Sequence, residues 1–319
     1  MKMVLLDGYA LNKDLNWHSL EKLGNCKFYD RTDVHDPDQV LTRIGDAELV
    51  LTHKTPLSDE VISRASNLQY IGIMGTGYDI VDIHSAQSHH IAVTNIPTYA
   101  TEAVAQFTFA LLLEVVSQVG LHNHLVHDGK WSQVPDFTFW NKPLLELKGK
   151  TLGLVGYGHI AQKVAEIGHA FSMKILFYNH HPKSIAQAWA QQVSLDDLLN
   201  QSDIISLPVI QTPETVNLIN TTSIQKMRDG VILVNTARGK LINESDVANA
   251  LNNGKIYALA TDVVQSEPIH PDNPLLRAKN CFTTPHIAWA PLETRTRLLD
   301  ITLSNLKAFL TGGQENRIG

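Results

Sequence analysis

The stretch Thr151-Leu-Gly-Leu-Val-Gly156-Tyr-Gly158-His-Ile-Ala161 decides the fold, because it predicts an apolar strand, a glycine turn and a helix beginning near His159. Gly156 permits the tight turn, Gly158 lets a ligand approach the backbone, and the small Ala161 lets the helix lie close to the strand. The helix N-terminus then offers free N–H groups and a partial positive charge. A glycine motif alone also fits ordinary turns. Between a strand and a helix, however, it predicts a site for the pyrophosphate of a dinucleotide.

Short aliphatic strands alternate with segments of helical period on both sides of this motif, which is typical of parallel sheets covered by helices. The sequence predicts a first series of strands at 3–6, 27–29, 49–52, 70–74 and 92–95, and a second at 151–155, 174–178, 204–207, 231–235, 257–261 and 281–284. Helix starts are predicted at Ser58, Thr101, Ser194 and Asn243. One long helical stretch over 101–127 separates the two series, and an amphipathic helix over 291–310 is expected to pack back on the first domain.

Length and composition predict two domains of an ordinary globular protein. A chain of 319 residues exceeds the size at which single cores stop growing. Its net charge of -6, without a Lys/Arg cluster, argues against nucleic acid. No apolar run is long enough for a membrane span, and residues 1–7 resemble a first strand rather than a signal peptide, so a cytoplasmic location is expected. Cys26 and Cys281 lack metal-ligand or disulfide spacing and are interpreted as buried apolar residues, with no metal site.

The segment Trp131-Ser-Gln-Val-Pro-Asp-Phe-Thr-Phe-Trp140 is aromatic and apolar enough to predict burial. Two interpretations stay open at this point. The segment packs against its own domain, or it forms a subunit interface, where aromatic residues are enriched.

The residue that follows the second strand of the nucleotide unit bears on the choice of cofactor. NAD-dependent enzymes usually place an acidic residue there for the ribose diol, whereas this chain has Asn179. Asparagine can bind a ribose hydroxyl without repelling a 2′-phosphate, and the following His180-His181-Pro-Lys183 can partly neutralise one. NAD and NADP both remain possible, with a slight preference for NAD.

Polar side chains follow three strands of the second series, where the ends of parallel strands form ligand sites. Arg238 follows the strand 231–235, Glu267 the strand 257–261, and His286 the strand 281–284. These types suit reduction of a 2-oxo acid, which requires a proton donor while a nicotinamide supplies hydride. His286 would be the acid/base, Glu267 would orient it and favour its protonated form, and Arg238 would bind the substrate carboxylate. Taken singly, Arg238 also fits a surface ion pair, Glu267 a loop carboxylate, and His286 a strand-end histidine whose hydrogen bonds are made within the protein.

Several further motifs occur in the order typical of one family, and the chain resembles the D-isomer-specific 2-hydroxyacid dehydrogenases over essentially its full length. The matching segments, besides the glycine loop, are Gly75-Thr-Gly77-Tyr-Asp79, Thr101-Glu-Ala-Val-Ala-Gln-Phe, Thr212-Pro-Glu-Thr215, Asn235-Thr-Ala-Arg238-Gly239, Asp262-Val and Pro285-His286-Ile-Ala-Trp. Within the family, residues 6–12, 30–32 and 131–140 most resemble the glycerate dehydrogenase (hydroxypyruvate reductase) branch, which implies hydroxypyruvate or glyoxylate as substrate.

The resemblance implies a fold and a site. It implies a Rossmann-type dinucleotide domain at 99–287, inserted into a flavodoxin-like substrate domain at 1–98 and 288–319, with the reaction in the cleft between them and a homodimer formed through the nucleotide domains. Arg238, Glu267 and His286 take the catalytic positions, and Gly75, Thr76 and Gly77, with Arg238, bind the substrate. The expected cofactor contacts are Thr101, Gly156, Tyr157, Gly158, His159, Ile160, Asn179, His180, Pro208, Thr236, Ala237, Arg238, Asp262 (at the nicotinamide amide) and His286.

Two departures and two rivals complete the sequence-based interpretation. Asn179 replaces the usual acidic residue, and Leu207-Pro-Val-Ile-Gln211 replaces the common Leu-His-Cys-Pro-Leu beside the cofactor. A formate dehydrogenase would be expected to carry Gln rather than Glu267. A dinucleotide-sensing corepressor of the same fold is the alternative function, although such proteins usually carry tails that are nearly absent beyond Leu310.

Overall fold

A computed structural model describes residues 1–11 and 14–318, and the chain within it divides into two compact units. Unit 1 comprises residues 1–100 and 289–319, and unit 2 comprises residues 101–288. The motif predicted at 6–12 therefore lies only partly within the described residues. What each unit binds remains a prediction, and each is described by itself below.

Unit 1 contains a five-stranded parallel sheet covered by helices. Its elements in chain order are β1 (Lys2–Leu5), α1 (His18–Glu21), β2 (Asn25–Phe28), α2 (Pro37–Ile44), β3 (Leu49–Thr52), α3 (Asp59–Arg64), β4 (Tyr70–Ile73), α4 (Ile83–Ser88), β5 (Ala92–Thr94) and α11 (Leu292–Leu310). The strand order β2-β1-β3-β4-β5 is the flavodoxin-like order. Strands β3, β4 and β5 are buried along their whole length, as expected for a sheet with both faces covered.

Helix α11 returns the chain to unit 1, as its sequence predicts. The Arg295 guanidinium donates to the Leu11 carbonyl (3.0 Å) and to the Asp14 carboxylate, and Asn305 Nδ2 donates to the Asn95 carbonyl (3.0 Å). The Phe309 ring lies 4.8 Å from that of Tyr70.

Unit 2 contains a seven-stranded parallel sheet in the order β12-β11-β10-β9-β6-β7-β8. Its elements are α5 (Thr101–Ser117), α6 (Val119–His127), β6 (Thr151–Val155), α7 (His159–Ala170), β7 (Lys174–Tyr178), β8 (Ala190–Gln192), α8 (Leu195–Gln201), β9 (Ile204–Ser206), α9 (Thr221–Lys226), β10 (Val231–Asn235), α10 (Glu244–Asn253), β11 (Ile256–Thr261) and β12 (Cys281–Thr283). The order reverses between β6 and β9, which is the switch point of a Rossmann-type sheet. The predicted fold class is confirmed.

Strand β8 is absent from the sequence-based prediction, and the helix predicted over 101–127 is two helices. Gln118 adopts a left-handed backbone (φ 50°), and α5 and α6 meet at a bend of 57°. Most of α5 belongs to the core of unit 2, whereas α6 buries no residue. In the described ranges no single helix is long and apolar enough to span a membrane, and only the bent pair α5–α6 passes that test by length and composition.

The prediction that the aromatic segment 131–140 is buried is wrong for the single chain. Trp131, Phe137 and Trp140 are 50%, 88% and 63% exposed. Phe139 is half-buried and its ring lies 6.0 Å from that of His122, so the segment keeps a contact with its own unit while most of it is exposed. The prediction that both cysteines are buried also needs correction, because Cys26 and Cys281 are only half-buried. Both are free thiols, and no disulfide was predicted for them. Burial nevertheless raises the pKa of each thiol.

Candidate active site

The glycine turn after β6 is fixed by backbone geometry. Gly156 has φ +95°, and a Cβ there would lie 2.9 Å from the Pro208 carbonyl oxygen, in the loop after β9. Its N–H donates to the Tyr178 carbonyl at the end of β7 (2.8 Å). Only glycine adopts this φ and leaves room for the Pro208 carbonyl without strain. Through these two contacts the turn joins the carboxyl ends of the neighbouring strands β6, β7 and β9.

The position of Gly158 fits a phosphate group. Gly158 is the N-cap of the 12-residue helix α7. No N-cap side chain accepts a hydrogen bond from the first N–H groups of this helix, and no acidic residue occupies its first turn. A Cβ on Gly158 would meet nothing within 4 Å, so open space faces the uncapped N–H groups of the helix. His159 at this helix start is exposed and Ile160 half-buried. Free N–H groups and space together suit the pyrophosphate of a dinucleotide.

The side chain of Tyr157 points away from this space. It is 1% exposed, and its ring stacks on Phe177 at 3.9 Å within the core. Burial raises the pKa of its hydroxyl. Any contact of Tyr157 with a cofactor would therefore use its backbone, whose carbonyl accepts from Lys183 Nζ (2.6 Å).

The turn after β7 is organised by the strand that the sequence did not reveal. From β8, Gln192 Nε2 donates to the carbonyls of Asn179 and His181 (3.2 Å each), and its Oε1 accepts from Lys183 N (2.9 Å). Asn179 Nδ2 also donates to the His181 carbonyl (2.9 Å). His180 and His181 are exposed, so this turn presents basic side chains and an amide, without a carboxylate of its own.

Arg238 lies on a turn that the buried Asn235 shapes. Asn235, at the end of β10, donates from Nδ2 to the Arg238 carbonyl (2.9 Å) and accepts from Ala237 N (3.1 Å). Thr236 exchanges a hydroxyl hydrogen bond with Thr108 of α5 (3.0 Å). The half-buried turn 236–238 is thereby held from both sides at the same sheet edge as the glycine loop, and Nη1 of Arg238 donates to the Ala237 carbonyl (2.8 Å).

Glu267 and His286 form a hydrogen-bonded pair. Nδ1 of His286 donates to Oε2 of Glu267 at 2.7 Å, and their side chains are 21% and 33% exposed. His286 has φ +56°, a conformation that costs a non-glycine residue about 1–3 kcal/mol. The segments that follow the neighbouring strands β10, β11 and β12 contain Arg238, Glu267 and His286, so the structure brings the three to one edge.

A buried carboxylate holds the turn that carries His286. Asp262 is 0% exposed, and its two oxygens accept from Thr284 Oγ1 (2.6 Å), Ile287 N (2.9 Å) and Ala288 N (2.8 Å). The sequence-based interpretation gave Asp262 a contact with a nicotinamide amide, which remains a prediction. The sequence does not predict the support that Asp262 gives to residues 284–288, because these hydrogen bonds join residues 22 to 26 positions apart.

The loop predicted to bind substrate lies in unit 1, after β4. Thr76 Oγ1 donates to the Ile96 carbonyl (2.7 Å), and its own carbonyl accepts from Asn95 Nδ2 (2.8 Å). Gly75 and Gly77 flank it, and Thr76 is exposed. Sequence reasoning overlooked the buried His53 beside this loop, whose Nδ1 donates to the Met74 carbonyl (2.7 Å). Thr101, a predicted cofactor contact, is the first residue of α5.

Comparison with known proteins assigns the class. The sequence profile of the "D-isomer specific 2-hydroxyacid dehydrogenase, NAD binding domain" matches residues 109–288. A hydroxypyruvate reductase from Blautia hydrogenotrophica is 50% identical over 318 residues, covering 99% of each chain. The D-lactate dehydrogenase of Aquifex aeolicus, solved with NAD and lactic acid, has a TM-score of 0.86 at 30% identity, covering 100% of this chain and 99% of that one. An acyclic imino acid reductase in complex with NADPH and D-Arg reaches 0.88 at 28%, covering 100% of both.

This chain belongs to the D-isomer-specific 2-hydroxyacid dehydrogenase family. It is an oxidoreductase that uses a nicotinamide dinucleotide to interconvert a 2-oxo acid and its 2-hydroxy acid. The relatives are enzymes, which favours this function over the corepressor alternative. Among residues 1–11 and 14–318, no group of three or more His, Cys, Asp or Glu side chains could hold a metal ion.

Proposed function

We propose that this chain reduces a small 2-oxo acid, either hydroxypyruvate to its D-2-hydroxy acid or glyoxylate to the achiral 2-hydroxy acid glycolate. The observation that carries the proposal is the 2.7 Å hydrogen bond between His286 and Glu267 at the sheet edge that also carries Arg238. The likeness to a hydroxypyruvate reductase over almost the whole of both chains supports the choice of substrate.

The roles of the three side chains follow from their chemistry. When bound, the nicotinamide supplies the hydride that attacks the carbonyl carbon. Nε2 of protonated His286 donates the proton that the carbonyl oxygen gains, and His286 is left neutral. Glu267 keeps the proton on Nδ1 and stabilises the imidazolium, because its carboxylate accepts that hydrogen bond. Arg238 binds the substrate carboxylate through two parallel N–H donors.

The cofactor pocket suits both nicotinamide dinucleotides. Asn179 can bind a ribose hydroxyl, and the turn that it begins has no carboxylate to repel a 2′-phosphate. Lys183 Nζ lies at the carbonyl of Tyr157, within the glycine loop (2.6 Å). We therefore propose that the chain accepts NADPH as well as NADH, with Lys183 able to turn toward a 2′-phosphate.

A homodimer is the assembly that the exposed surface of unit 2 favours. Apolar side chains of α6 and the following segment lie exposed, with Val119, Trp131, Phe137, Trp140 and Leu144 at 50% or more. Exposed patches of this kind mark protein interfaces, and a mass measurement in solution tests the proposal.

Initial rates with a panel of 2-oxo acids, each against NADH and NADPH, test the substrate and cofactor together. We expect the highest kcat/KM with hydroxypyruvate or glyoxylate and measurable turnover with both nucleotides. His286→Ala should abolish turnover while the Kd for the nucleotide stays nearly unchanged. Unchanged turnover in that variant would overturn the assigned mechanism.

Lys183→Ala separates the cofactor proposal from the reaction itself. The variant should lose kcat/KM with NADPH and keep that with NADH, because only the former carries the extra phosphate. Lys163→Ala, which removes an exposed lysine paired with Glu166 on α7, is the matched control. Equal losses with both nucleotides would show that Lys183 only supports the fold of the glycine loop.

A further inference from the structure

The first residue of α10, Glu244, is a buried carboxylate outside the catalytic set. It is 8% exposed, its Oε1 accepts from the backbone N–H of Gln265 (2.7 Å), and its Oε2 accepts from Nδ2 of the equally buried Asn273 (2.8 Å). Both donors belong to the loop between β11 and β12. A buried carboxylate with two hydrogen bonds to one loop is an anchor for that loop.

The two anchored positions lie on either side of Glu267. The backbone is clamped at residue 265 and the side chain of residue 273 is held, so the segment that carries Glu267 is tied at both ends. Gln265 adds a bond from its Nε2 to the Ile242 carbonyl (2.7 Å). The same loop also lies flat on Gly239, where a Cβ would be 1.9 Å from the Val264 carbonyl carbon.

The anchor and the substrate arginine lie on one short segment. Residues 238–244 run from Arg238 through a 3-10 turn at Gly239–Leu241 to the start of α10, where the Asn243 side chain caps the helix by accepting from Asp246 N (3.1 Å). A rigid segment therefore links the guanidinium of Arg238 to the loop that presents Glu267.

We infer that Glu244 is a positioning residue for the reaction, which sets the carboxylate of Glu267 against His286 and relative to Arg238. The inference rests on the proposed role of Glu267. Small displacements of catalytic groups are costly, since a misplacement of about 1 Å can lower a rate by about 100-fold.

The test begins with Glu244→Ala and a matched control. Glu244→Ala should lower kcat with hydroxypyruvate about 10- to 100-fold, while the Kd for NADH, measured by fluorescence, changes little. Asp246→Ala is the control, because it removes a carboxylate from the same first turn of α10 that accepts from Thr221 N (2.8 Å) and not from the loop 262–273. Its kcat should stay near that of the wild type. Equal losses in both variants would overturn the inference.

A hydrogen-bond exchange supplies the rescue. In Glu244→Gln, the new side-chain NH₂ group faces the NH₂ group of Asn273, so the hydrogen bond between the two side chains is lost. Asn273 cannot turn its Oδ1 toward Gln without breaking the bond that Oδ1 accepts from Leu275 N (3.0 Å). The double variant E244Q/N273D lets Gln donate to Asp and keeps both other bonds. Recovery of most of the lost kcat supports positioning. A double variant that unfolds at the wild-type temperature, yet stays as slow as E244Q, overturns it.

A double-mutant cycle shows whether Glu244 acts through Glu267. Glu244→Ala should cost little further kcat in a Glu267→Gln background, because the group to be positioned has already lost its charge. Multiplicative losses would contradict the inference. If Glu267→Gln itself has wild-type kcat, the proposed function fails first, and the two failures are thereby distinguished.

Discussion

The glycine loop after β6 and the His286 turn after β12 lie at the same edge of one sheet, but they are held in different ways. The glycine loop depends on its own backbone, since Gly156 has a positive φ and fits closely against the loop of Pro208. The His286 turn also has a positive φ, but a non-glycine residue adopts it, and the carboxylate of Asp262 fixes the surrounding N–H groups. The comparison teaches that the proposed phosphate site is held by backbone geometry, whereas the proposed acid/base site depends on a side chain 22 to 26 residues away in the sequence.

The largest expected effect follows from removing that distant side chain. Asp262→Asn leaves one amide hydrogen-bond donor facing the N–H of Ala288 or Ile287, an unsatisfied buried contact that costs about 1–3 kcal/mol. The strained turn at His286 should then relax and misplace the imidazole. We expect kcat to fall about 100-fold in steady-state assays with hydroxypyruvate.

Asp203→Asn is the control for Asp262. The carboxylate of Asp203 also accepts from a backbone N–H, that of Thr151 (2.9 Å), but at the opposite end of the same sheet. This variant should lose some stability and keep its kcat. If Asp262→Asn instead weakens nucleotide binding as strongly as it lowers kcat, the predicted contact with the nicotinamide amide accounts for the effect better than support of the turn.

A smaller effect is expected at the glycine loop, where Gly156 and Gly158 should differ in their effect on the stability of the free protein. Gly156→Ala places a Cβ 2.9 Å from a backbone oxygen at φ +95°, so the variant should unfold at a lower temperature even without nucleotide. The free loop should relax to relieve this strain, and nucleotide binding must then restore the strained conformation. A strain of about 1–2 kcal/mol therefore corresponds to roughly tenfold weaker nucleotide binding.

Gly158→Ala should leave the unfolding temperature of the free protein unchanged, because a Cβ there meets no protein atom within 4 Å. It should nevertheless weaken NADH binding, since the methyl group enters the space assigned to the pyrophosphate. Thermal unfolding with and without NADH measures both effects. Identical behaviour of the two variants would refute the assignment of that space.

The same contrast explains what the sequence can predict. The strands and the glycine turn are local patterns, and the meeting of Glu267 with His286 follows because β11 and β12 are neighbours in a parallel sheet. Asp262 and Glu244 act through bonds that span 21 to 29 residues, such as that of Glu244 to Asn273, and no periodicity encodes them. Strand β8 is a short strand at the end of the sheet with two glutamines among its three residues, so it lacks the aliphatic run that predicts the other strands.

The region around α6 shows a different limit. Gln118 breaks the helix through a left-handed backbone that glutamine rarely adopts, so the long apolar pattern over 101–127 predicted one helix. The aromatic residues after α6 have the composition of a core, but a single chain leaves them exposed. A hydrophobic segment predicts burial, but its composition does not show whether the same chain or a second copy would bury it.

The smallest effect is expected in unit 1, where an ion pair holds a loop as Asp262 holds the His286 turn, but with one partner in solvent. Arg295, whose side chain is 9% exposed, bonds Asp14, which is 45% exposed. The hydrogen bond from Arg295 lowers the pKa of the Asp14 carboxyl. The pair therefore stabilises the fold above about pH 4, the ordinary value for an aspartate, and this contribution disappears as the pH falls through the lowered pKa.

The unfolding temperature of Asp14→Asn should accordingly lie slightly below that of the wild type near neutral pH and converge with it in acid. Asp38→Asn, which breaks a pair with the half-exposed Arg64, should lower the unfolding temperature less at neutral pH. A difference between Asp14→Asn and wild type that stays constant down to low pH would mean that packing, rather than charge, secures this loop.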